Sequence, residues 1–407
     1  MTREAKTLVR RLDELGRVSD EPGRLTRTFL SPAMRRANAR VGSWMEGAGL
    51  AVREDPYGTL IGRLESARPG ARTLLLGSHL DTVRDAGRFD GALGVLLGIA
   101  AAETLRAAGI ALPYHLEVLG FSEEEGVRFA SSYLGSKGYC GRLRAADLAR
   151  TDSEGISVRQ ALEALRGEPL PKPRPAHRPA DLLGYLEVHL EQGPVLEAKG
   201  LAVGVVSAIA GQTRCRLIWT GKAGHAGTTP MPLRRDALAG AAEFALAVEA
   251  LARRERPLLA TVGALTVEPG AANVIPGRVE HTLDVRHPED PPRLAALAKL
   301  RKEAERIARR RKLVLEWQPT QENGAVPASP ALTATLARSV KAVQGRSLAL
   351  PSGAGHDGVI VSALAPIAML FVRCRAGLSH HPDEHVAPRD LATALAVTVD
   401  FLQRMTP

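Results

Sequence analysis

The sequence predicts an α/β fold in which a mostly parallel sheet, flanked by helices, carries a second, inserted α+β domain. Three observations favour this fold. The 407 residues exceed what one hydrophobic core usually supports, which favours two domains. In the first half of the chain, apolar strand patterns alternate with helical ones, as they do in parallel sheets. From about residue 213 the order changes to strand, helix, two strands, helix and strand.

In the first domain, polar residues follow two predicted strands. Residues 73–76 form a short apolar run that ends in Gly-Ser-His-Leu-Asp, and residues 114–121 form a strand that ends in Ser-Glu-Glu-Glu-Gly. Between them, residues 91–108 have the length and composition of a buried helix. Because ligands bind at the carboxyl ends of the strands in open α/β sheets, we expect a site at this edge.

The second domain has the element order of a ferredoxin-like sandwich, β-α-β-β-α-β. The pattern predicts strands at residues 214–220, 258–267, 278–286 and 313–317, and helices at residues 234–253 and 291–311. We therefore expect an inserted domain at residues 212–326 and a first domain formed by residues 1–211 and 327–407.

Composition disfavours several classes of protein. The net charge of +10 invites comparison with nucleic-acid binders, but only 4% of residues are aromatic and no nucleic-acid motif is present. No apolar run has the ~18 residues of a membrane span. The three cysteines form no CxxC pair, and the charged N-terminus has no signal-peptide pattern, so a cytoplasmic location is expected.

Histidines and carboxylates cluster in five short segments, GSHLDTV at 77–83, GRFDG at 87–91, SEEEG at 122–126, VHLEQGP at 188–194 and SHHPDEH at 379–385. Taken singly, each has an ordinary explanation, since a strand-end histidine is usually a core residue and an acidic triplet a solvated loop. Together they favour a catalytic site for zinc, manganese or cobalt, because a His/Asp/Glu ligand set leaves room for water. Asp81, two residues after His79, suits the position that holds the second N–H of that imidazole.

The motifs GSHLDTV, GRFDGALGV, SEEEGVRF, HLEQGP, GKAGHAGTTPM, GAANVIPG, DVRH, SGAGHDG and GLSHHPDEHV resemble, in order, a family of dinuclear-metal amidases. That family includes N-carbamoyl-L-amino-acid hydrolases, allantoate amidohydrolase, ureidoglycolate amidohydrolase and yeast-type β-alanine synthase. The motifs run from residue 77 to residue 386. HLEQGP discriminates best, because related peptidases and aminoacylases have an acidic ligand where this chain has His189.

The resemblance implies a cofactor of two divalent metal ions (manganese, zinc or cobalt). The ligands it implies are His79 and His189 at one ion, Glu125 and His385 at the other, and Asp90 bridging both. Glu124 matches the general base of the family, and a cis peptide bond is implied between Asp90 and Gly91.

The substrate-binding residues implied by the resemblance are Gln192, His225, Asn273, Arg286, Gly355 and His356. His225 is also implied to donate to the negative oxygen of the tetrahedral intermediate, reaching across from a neighbouring subunit. The resemblance thus predicts a homodimer through the inserted domain, whose edge strands leave unpaired backbone groups suited to pairing about a two-fold axis.

The predicted function is metal-dependent hydrolysis of a C–N bond in a small anionic ureido or N-carbamoyl compound, with release of ammonia, carbon dioxide and the amine. The motifs leave N-carbamoyl-L-amino acids, allantoate and ureidoglycolate open as substrates. An N-acyl-amino-acid hydrolase or a di-metal exopeptidase of the same superfamily is the alternative. A binding protein on this scaffold is disfavoured, because none of the five implied ligands is missing.

Overall fold

The structure is a computed structural model, and it describes residues 2–406. The chain divides into two compact units, of which the second comprises Ala208–Pro327 and Pro351–Gly353. It is therefore slightly larger than the predicted insertion at 212–326. Within this unit, Arg286 Nη1 donates a 2.6 Å hydrogen bond to the carbonyl oxygen of Gly353 in the extra segment.

The strands, in chain order, are β1 Ala51–Glu54, β2 Leu60–Leu64, β3 Thr73–His79, β4 His115–Phe121, β5 Leu182–Leu190, β6 Val203–Ile209, β7 Gly211–Thr220, β8 Gly224–His225, β9 Leu259–Thr261, β10 Leu265–Glu268, β11 Val274–Ile275, β12 Arg278–His287, β13 Val314–Asn323, β14 Val326–Pro327, β15 Ala349–Ser352 and β16 Ile367–Val372. The α-helices are α1 Arg3–Leu15, α2 Pro32–Gly47, α3 Ala92–Ala107, α4 Leu134–Tyr139, α5 Ala145–Leu148, α6 Val158–Arg166, α7 Val195–Ala198, α8 Ala237–Arg254, α9 Asp290–Arg311, α10 Pro330–Gln344, α11 Gly358–Val361 and α12 Pro388–Arg404.

The first sheet has nine strands in the order β1-β2-β4-β3-β5-β16-β6-β14, and β15 also pairs with β6. Strands β4, β3, β5 and β16 run parallel, whereas β1 and β2 on one side and β6 and β14 on the other pair antiparallel. The predicted α/β class is confirmed, and the sheet is parallel where the polar strand ends were predicted. The carboxyl ends of the central strands therefore lie at one edge.

Helix α3 anchors the core of the first unit. It packs on β3 and also contacts α1 and α12, so its side chains are buried on all sides, as its continuous apolar sequence predicts. Leu93, Leu96 and Leu97 are fully buried, and each contributes roughly 2 kcal/mol of hydrophobic stabilisation. The rigid helix begins directly after Asp90 and Gly91, and it thereby fixes the position of that carboxylate.

The second unit pairs an antiparallel sheet with two helices. Its strand order is β10-β12-β7-β13, with β9 also pairing with β12, and the helices are α8 and α9. Along β12, Val279, Leu283 and Val285 enter the core with Trp219 and Phe244, while the intervening side chains lie on the other face. The predicted strand at 258–267 is two strands, β9 and β10.

Among residues 2–406, no helix combines the length and the hydropathy that crossing a membrane requires. Cys140, Cys215 and Cys374 are buried and unpaired.

Candidate metal centre

Four parallel strands deliver the polar residues to one edge of the first sheet. His79 ends β3 and His189 lies one residue before the end of β5. Glu124 and Glu125 follow β4, and the segment around His380 follows β16. All of these strands run in the same direction, so residues that are up to about 300 positions apart in sequence meet in space.

The first potential ligand set is His79, His189 and Asp90, all buried and all offering ligand atoms within 4.8 Å of one another. Nδ1 of His79 lies 3.0 Å from the carbonyl oxygen of Asp81, and Nδ1 of His189 lies 3.1 Å from that of Leu190. A carbonyl oxygen only accepts, so both Nδ1 atoms donate to their carbonyl groups, and the two Nε2 atoms face each other as potential metal ligands. Those Nε2 atoms are 3.5 Å apart, an arrangement that favours a cation between them.

The second set is Asp90, Glu125 and His380. Nε2 of His380 lies 3.1 Å from Oδ2 of Asp90 and 3.5 Å from Oε1 of Glu125. The other oxygen of Asp90, Oδ1, is 3.1 Å from Nε2 of His189. It is buried, and no hydrogen bond of acceptable geometry reaches it among the described residues. Asp90 thus turns one oxygen toward each set, as a bridging carboxylate does.

The structure places His380 beside Asp90 and Glu125, where the resemblance implied His385. The ring of His385 instead packs edge-on against Phe89, with 6.2 Å between centroids, and its backbone carbonyl accepts from Arg375. The prediction is corrected by the local geometry. The side chain of Glu384, immediately before His385, is the one directed toward the cluster, and His380 takes a left-handed backbone conformation with φ of 57°.

Three residues hold Asp90, and sequence analysis missed two of them. Glu384 accepts hydrogen bonds from the backbone N–H groups of Phe89 and Asp90 at 2.9 and 3.0 Å, and from the Ser379 hydroxyl at 2.8 Å. Ser379 Oγ and Gln192 Nε2 each lie 3.1 Å from Asp90 Oδ2. Gln192 was expected to face the substrate, and the structure places its amide on this carboxylate. The only signal for Ser379 and Glu384 was their place in the His-rich segment.

The three glutamates of the acidic triplet, residues 123–125, have different surroundings. Glu123 turns away from the cluster, because its Oε1 accepts from the backbone N–H groups of Arg128 and Phe129, both at 3.0 Å. Burial, followed by the charge of Asp81, raises the pKa of Glu123 to about 8. Glu124 and Glu125 lie with His79 in a third group of potential ligands. Glu125 also belongs to the second set, with Asp90 and His380, whereas Glu124 does not.

Asp81 forms hydrogen bonds both with His79 and with the segment that carries Glu124 and Glu125. Its backbone carbonyl accepts from His79, while its carboxylate accepts from the backbone N–H groups of Glu124 and Glu125 at 3.1 and 3.2 Å. Sequence analysis expected the carboxylate, and not the carbonyl, to hold the imidazole; the carboxylate lies 3.7 Å from Nδ1.

The electrostatics of the cluster favour bound positive charge. Burial and then the neighbouring carboxylate of Glu125 raise the pKa of Glu124 well above its ordinary value, and burial and Asp90 raise that of Glu125 to about 8. Burial alone would lower the pKa of His189, but its interaction with Asp90 raises it to about 9. Closely spaced carboxylates resist ionisation together, and a divalent cation among them would offset that repulsion.

The bond between Asp90 and Gly91 is trans, contrary to the implied cis bond. Gly91 adopts φ 64° and ψ −58°, and the N–H of Ala92 closes a tight turn onto the Asp90 carbonyl at 2.6 Å. A Cβ at Gly91 would lie 2.3 Å from the ring of His79. The turn therefore needs glycine for its backbone angles and for the close approach of the histidine.

The glycine-rich segment after β15 lies beside the first ligand set. His356 is 1% exposed, and its ring centroid is 4.4 Å from that of His189, so it supports a potential ligand from behind. This burial differs from the substrate-facing position that was expected. A Cβ at Gly355 would lie 2.1 Å from the hydroxyl of Tyr133, which explains the glycine by the approach of that phenol.

The remaining predicted residues, His225, Asn273 and Arg286, lie in the second unit. The structure brings the first two together, since β8 and β11 pair with His225 opposite Val274, and the Asn273 carbonyl accepts from Ala226. His225 is exposed, and its Nδ1 accepts from the N–H of Gly227 at 3.1 Å. Arg286 is near the end of β12 and is ion-paired with Asp284.

Comparisons with known proteins identify the family of the chain. Residues 75–404 match the model of peptidase family M20/M25/M40. An allantoate deiminase of Arabidopsis thaliana is 40% identical, over 97% of this chain and 81% of that protein. An N-carbamoyl-L-amino acid amidohydrolase of Geobacillus stearothermophilus is 41% identical, over 97% of each chain. The crystal structure of a hydantoinase/carbamoylase family amidase from Burkholderia multivorans superposes with a TM-score of 0.92 at 32% identity, covering 98% of this chain and 97% of that one. The chain therefore belongs to peptidase family M20/M25/M40, in the group of amidohydrolases that its motifs predicted.

Proposed function

We propose that this protein is a metal-dependent amidohydrolase that cleaves a non-peptide C–N bond in a small anionic ureido or N-carbamoyl compound. The observation that carries the proposal is the position of Asp90, whose two oxygens face two different sets of potential ligands. The names of the relatives support the substrate class, because they are an allantoate deiminase and an N-carbamoyl-amino-acid amidohydrolase.

The donor set suits two divalent ions. The first would be held by His79 and His189, the second by Glu125 and His380, with Asp90 shared between them. The buried Oδ1 of Asp90, 3.1 Å from Nε2 of His189, and the facing Nε2 atoms of His79 and His189 support this assignment. Imidazole and carboxylate ligands are compatible with manganese, zinc or cobalt. When bound, such ions polarise a carbonyl group and make a water molecule more acidic.

Glu124 is the proposed general base and acid. It is buried beside the ligand Glu125, and the high pKa that burial and its neighbours cause suits a group that both takes up and returns a proton. It would accept the proton of the attacking water and deliver it to the leaving nitrogen. Asp81 positions it by accepting from its backbone N–H.

Arg286, Asn273 and His225 are the proposed substrate residues of the second unit. A guanidinium group binds a carboxylate through two parallel N–H donors, which would select anionic substrates. Asn273 and His225 lie on neighbouring, paired segments and offer amide and imidazole groups. His225 would donate to the negative oxygen that develops in the transition state. Gln192, Gly355 and His356 are the proposed substrate residues of the first unit. There Gln192 donates to Asp90, Gly355 lies beside the hydroxyl of Tyr133, and the ring of His356 packs on that of His189.

The first test is product analysis with a substrate panel. Metal-reconstituted protein is expected to release ammonia together with the amine from allantoate, ureidoglycolate or an N-carbamoyl-L-amino acid, and to leave N-acetyl-amino acids and dipeptides uncleaved. Coupled ammonia detection and amine chromatography measure both products. Cleavage of the acetyl compounds or dipeptides alone would assign the protein to the N-acyl-amino-acid hydrolases or exopeptidases instead.

A cytoplasmic location is also proposed, and the unpaired, buried cysteines are consistent with it.

We also propose that the protein acts as a homodimer through its second unit, with His225 completing the partner's site. Supporting features are the exposed position of His225 and the edge strand β13, whose outer residues are exposed over most of its length. An edge strand presents unpaired backbone groups that a second copy can satisfy about a two-fold axis.

Mixed dimers test this arrangement. His225→Ala and Glu124→Gln variants are each expected to be nearly inactive alone. After 1:1 subunit exchange, half of the dimers would be mixed and each would hold one site with both residues intact, so about one quarter of wild-type activity should return. If His225 served its own chain, both sites of every mixed dimer would be defective. No recovery after exchange proven by mass-tagged subunits would therefore contradict the proposal.

A further inference from the structure

The face of the second sheet that lies opposite the hydrophobic core carries paired charges. On β12, Arg278, Glu280, Asp284 and Arg286 alternate with the buried residues. Neighbouring β7 contributes its own polar side chains to the same face, since the register places Asp284 directly opposite Arg214. Two ion-paired groups result, one around Glu280 and one around Asp284.

Asp284 receives four hydrogen bonds in this arrangement. Its Oδ1 accepts from Nε of Arg286 at 2.9 Å. Its Oδ2 accepts from Nη2 of Arg286 and Nε of Arg214, both at 2.9 Å, and from Nε2 of Gln212 at 2.6 Å. Partial burial alone would raise the pKa of Asp284, but these donors, Arg286 first, lower it. The charged carboxylate therefore accepts from both N–H groups on one edge of the Arg286 guanidinium, those of Nε and Nη2.

The count of donors shows what remains for a ligand. A guanidinium group has five N–H donors in one plane. Asp284 takes one from Nε and one from Nη2, and the Gly353 carbonyl takes one from Nη1 at 2.6 Å. One N–H is left on each terminal nitrogen, so two donors remain for a carboxylate.

We propose that Asp284 is a positioning residue that sets the specificity for anionic substrates by holding Arg286 with only that pair of donors free. The inference rests on the proposed function, in which Arg286 binds the substrate carboxylate. In this proposal Asp284 keeps its hydrogen bonds when substrate binds. Its role is to remove the rotational freedom of a long side chain beforehand, and preorganisation of this kind strengthens binding.

Replacement by asparagine tests the role, because Asn cannot accept on both sides. Whichever way its amide is turned, the NH2 group meets donors from Arg286 alone or from Arg286, Arg214 and Gln212 together. Asp284→Asn is expected to raise KM for the carboxylate substrate by about tenfold or more with kcat changed less than about twofold. For the corresponding carboxamide, which has no carboxylate to bind, KM and kcat should stay at wild-type values.

Glu280→Gln is the matched control. Glu280 pairs with Arg278 of its own strand at 2.9 Å and with Arg216 of β7 at 3.0 Å, so it repeats the surroundings of Asp284 without Arg286. Its variant should leave KM for both compounds unchanged. The compounds are allantoate, ureidoglycolate or an N-carbamoyl-L-amino acid, whichever the wild type cleaves, and its carboxamide.

The outcomes separate this inference from the proposed function. If wild-type protein cleaves none of these compounds, the proposed function fails and the inference falls with it. If wild type is active and Asp284→Asn affects both compounds alike, or neither, only the role of Asp284 is overturned. If thermal melting shows that Asp284→Asn is unfolded, Asp284→Glu takes its place, because it keeps the charge but displaces the guanidinium. It must then raise KM for the carboxylate substrate and not for the carboxamide, by a smaller factor.

Discussion

Glu124→Gln is expected to lower kcat by roughly 1,000-fold, because the loss of a general acid–base group typically has effects of this order. The glutamine keeps the shape of the side chain, and the backbone N–H of residue 124 still binds Asp81. Glu124 belongs to neither of the two sets proposed to hold the ions, so metal content measured by elemental analysis should equal that of wild type. Steady-state ammonia release measures the loss of turnover.

The neighbouring residue supplies a matched control. Glu123 has a pKa of about 8, so at neutral pH its carboxyl group is mostly protonated, and glutamine resembles the protonated form. In Glu123→Gln one oxygen can still accept from Arg128 and Phe129, and activity should stay within about threefold of wild type, as for a change that retains its hydrogen bonds. Loss of turnover in Glu123→Gln with normal activity in Glu124→Gln would show that the assignment of the base is off by one residue.

The part of the site that depends on strand ends was predictable from sequence. Apolar runs that stop at His79 and before Glu124 predict both the strands and the edge where they terminate, because parallel strands share the direction of their carboxyl ends. The family motifs then indicated Asp90 and His189. The structure brings these two residues together with His79, and His79 together with Glu124. The same logic places the long apolar helix α3 behind them.

The parts that depend on loop conformation and strand register were not predictable in this way. Choosing between His380 and His385 requires the backbone angles of a turn, and the pairing of Glu384 with Asp90 joins residues 294 positions apart. The trans bond before Gly91 is likewise a local backbone choice. Asp284 was visible in its motif, two residues before Arg286 on the same strand, but its hydrogen bonds with Arg214 and Gln212 depend on the register between β12 and β7.

His380→Ala is expected to reduce the metal content from two ions to one per chain and to lower kcat by more than about 100-fold, since even residues behind a ligand typically affect affinity by 10- to 100-fold. The first set, His79, His189 and Asp90, stays complete in this variant and should retain its ion. The second set would keep only Asp90 and Glu125. Elemental analysis after dialysis against limiting manganese or zinc, followed by titration of the second ion, measures the change.

His385→Ala is the control that makes this prediction sharp, because both positions are histidines of one short segment. His385 packs against Phe89 and contributes no atom to the potential ligand sets among residues 2–406. Its removal deletes an aromatic contact worth about 1 kcal/mol, so the melting temperature should fall slightly while both ions stay bound. An exchanged result, with one ion lost from His385→Ala and both kept by His380→Ala, would contradict the arrangement of the site. A wild-type protein that saturates with a single ion would contradict the bridging role of Asp90, because one carboxylate oxygen would then face a set of ligands with nothing to hold.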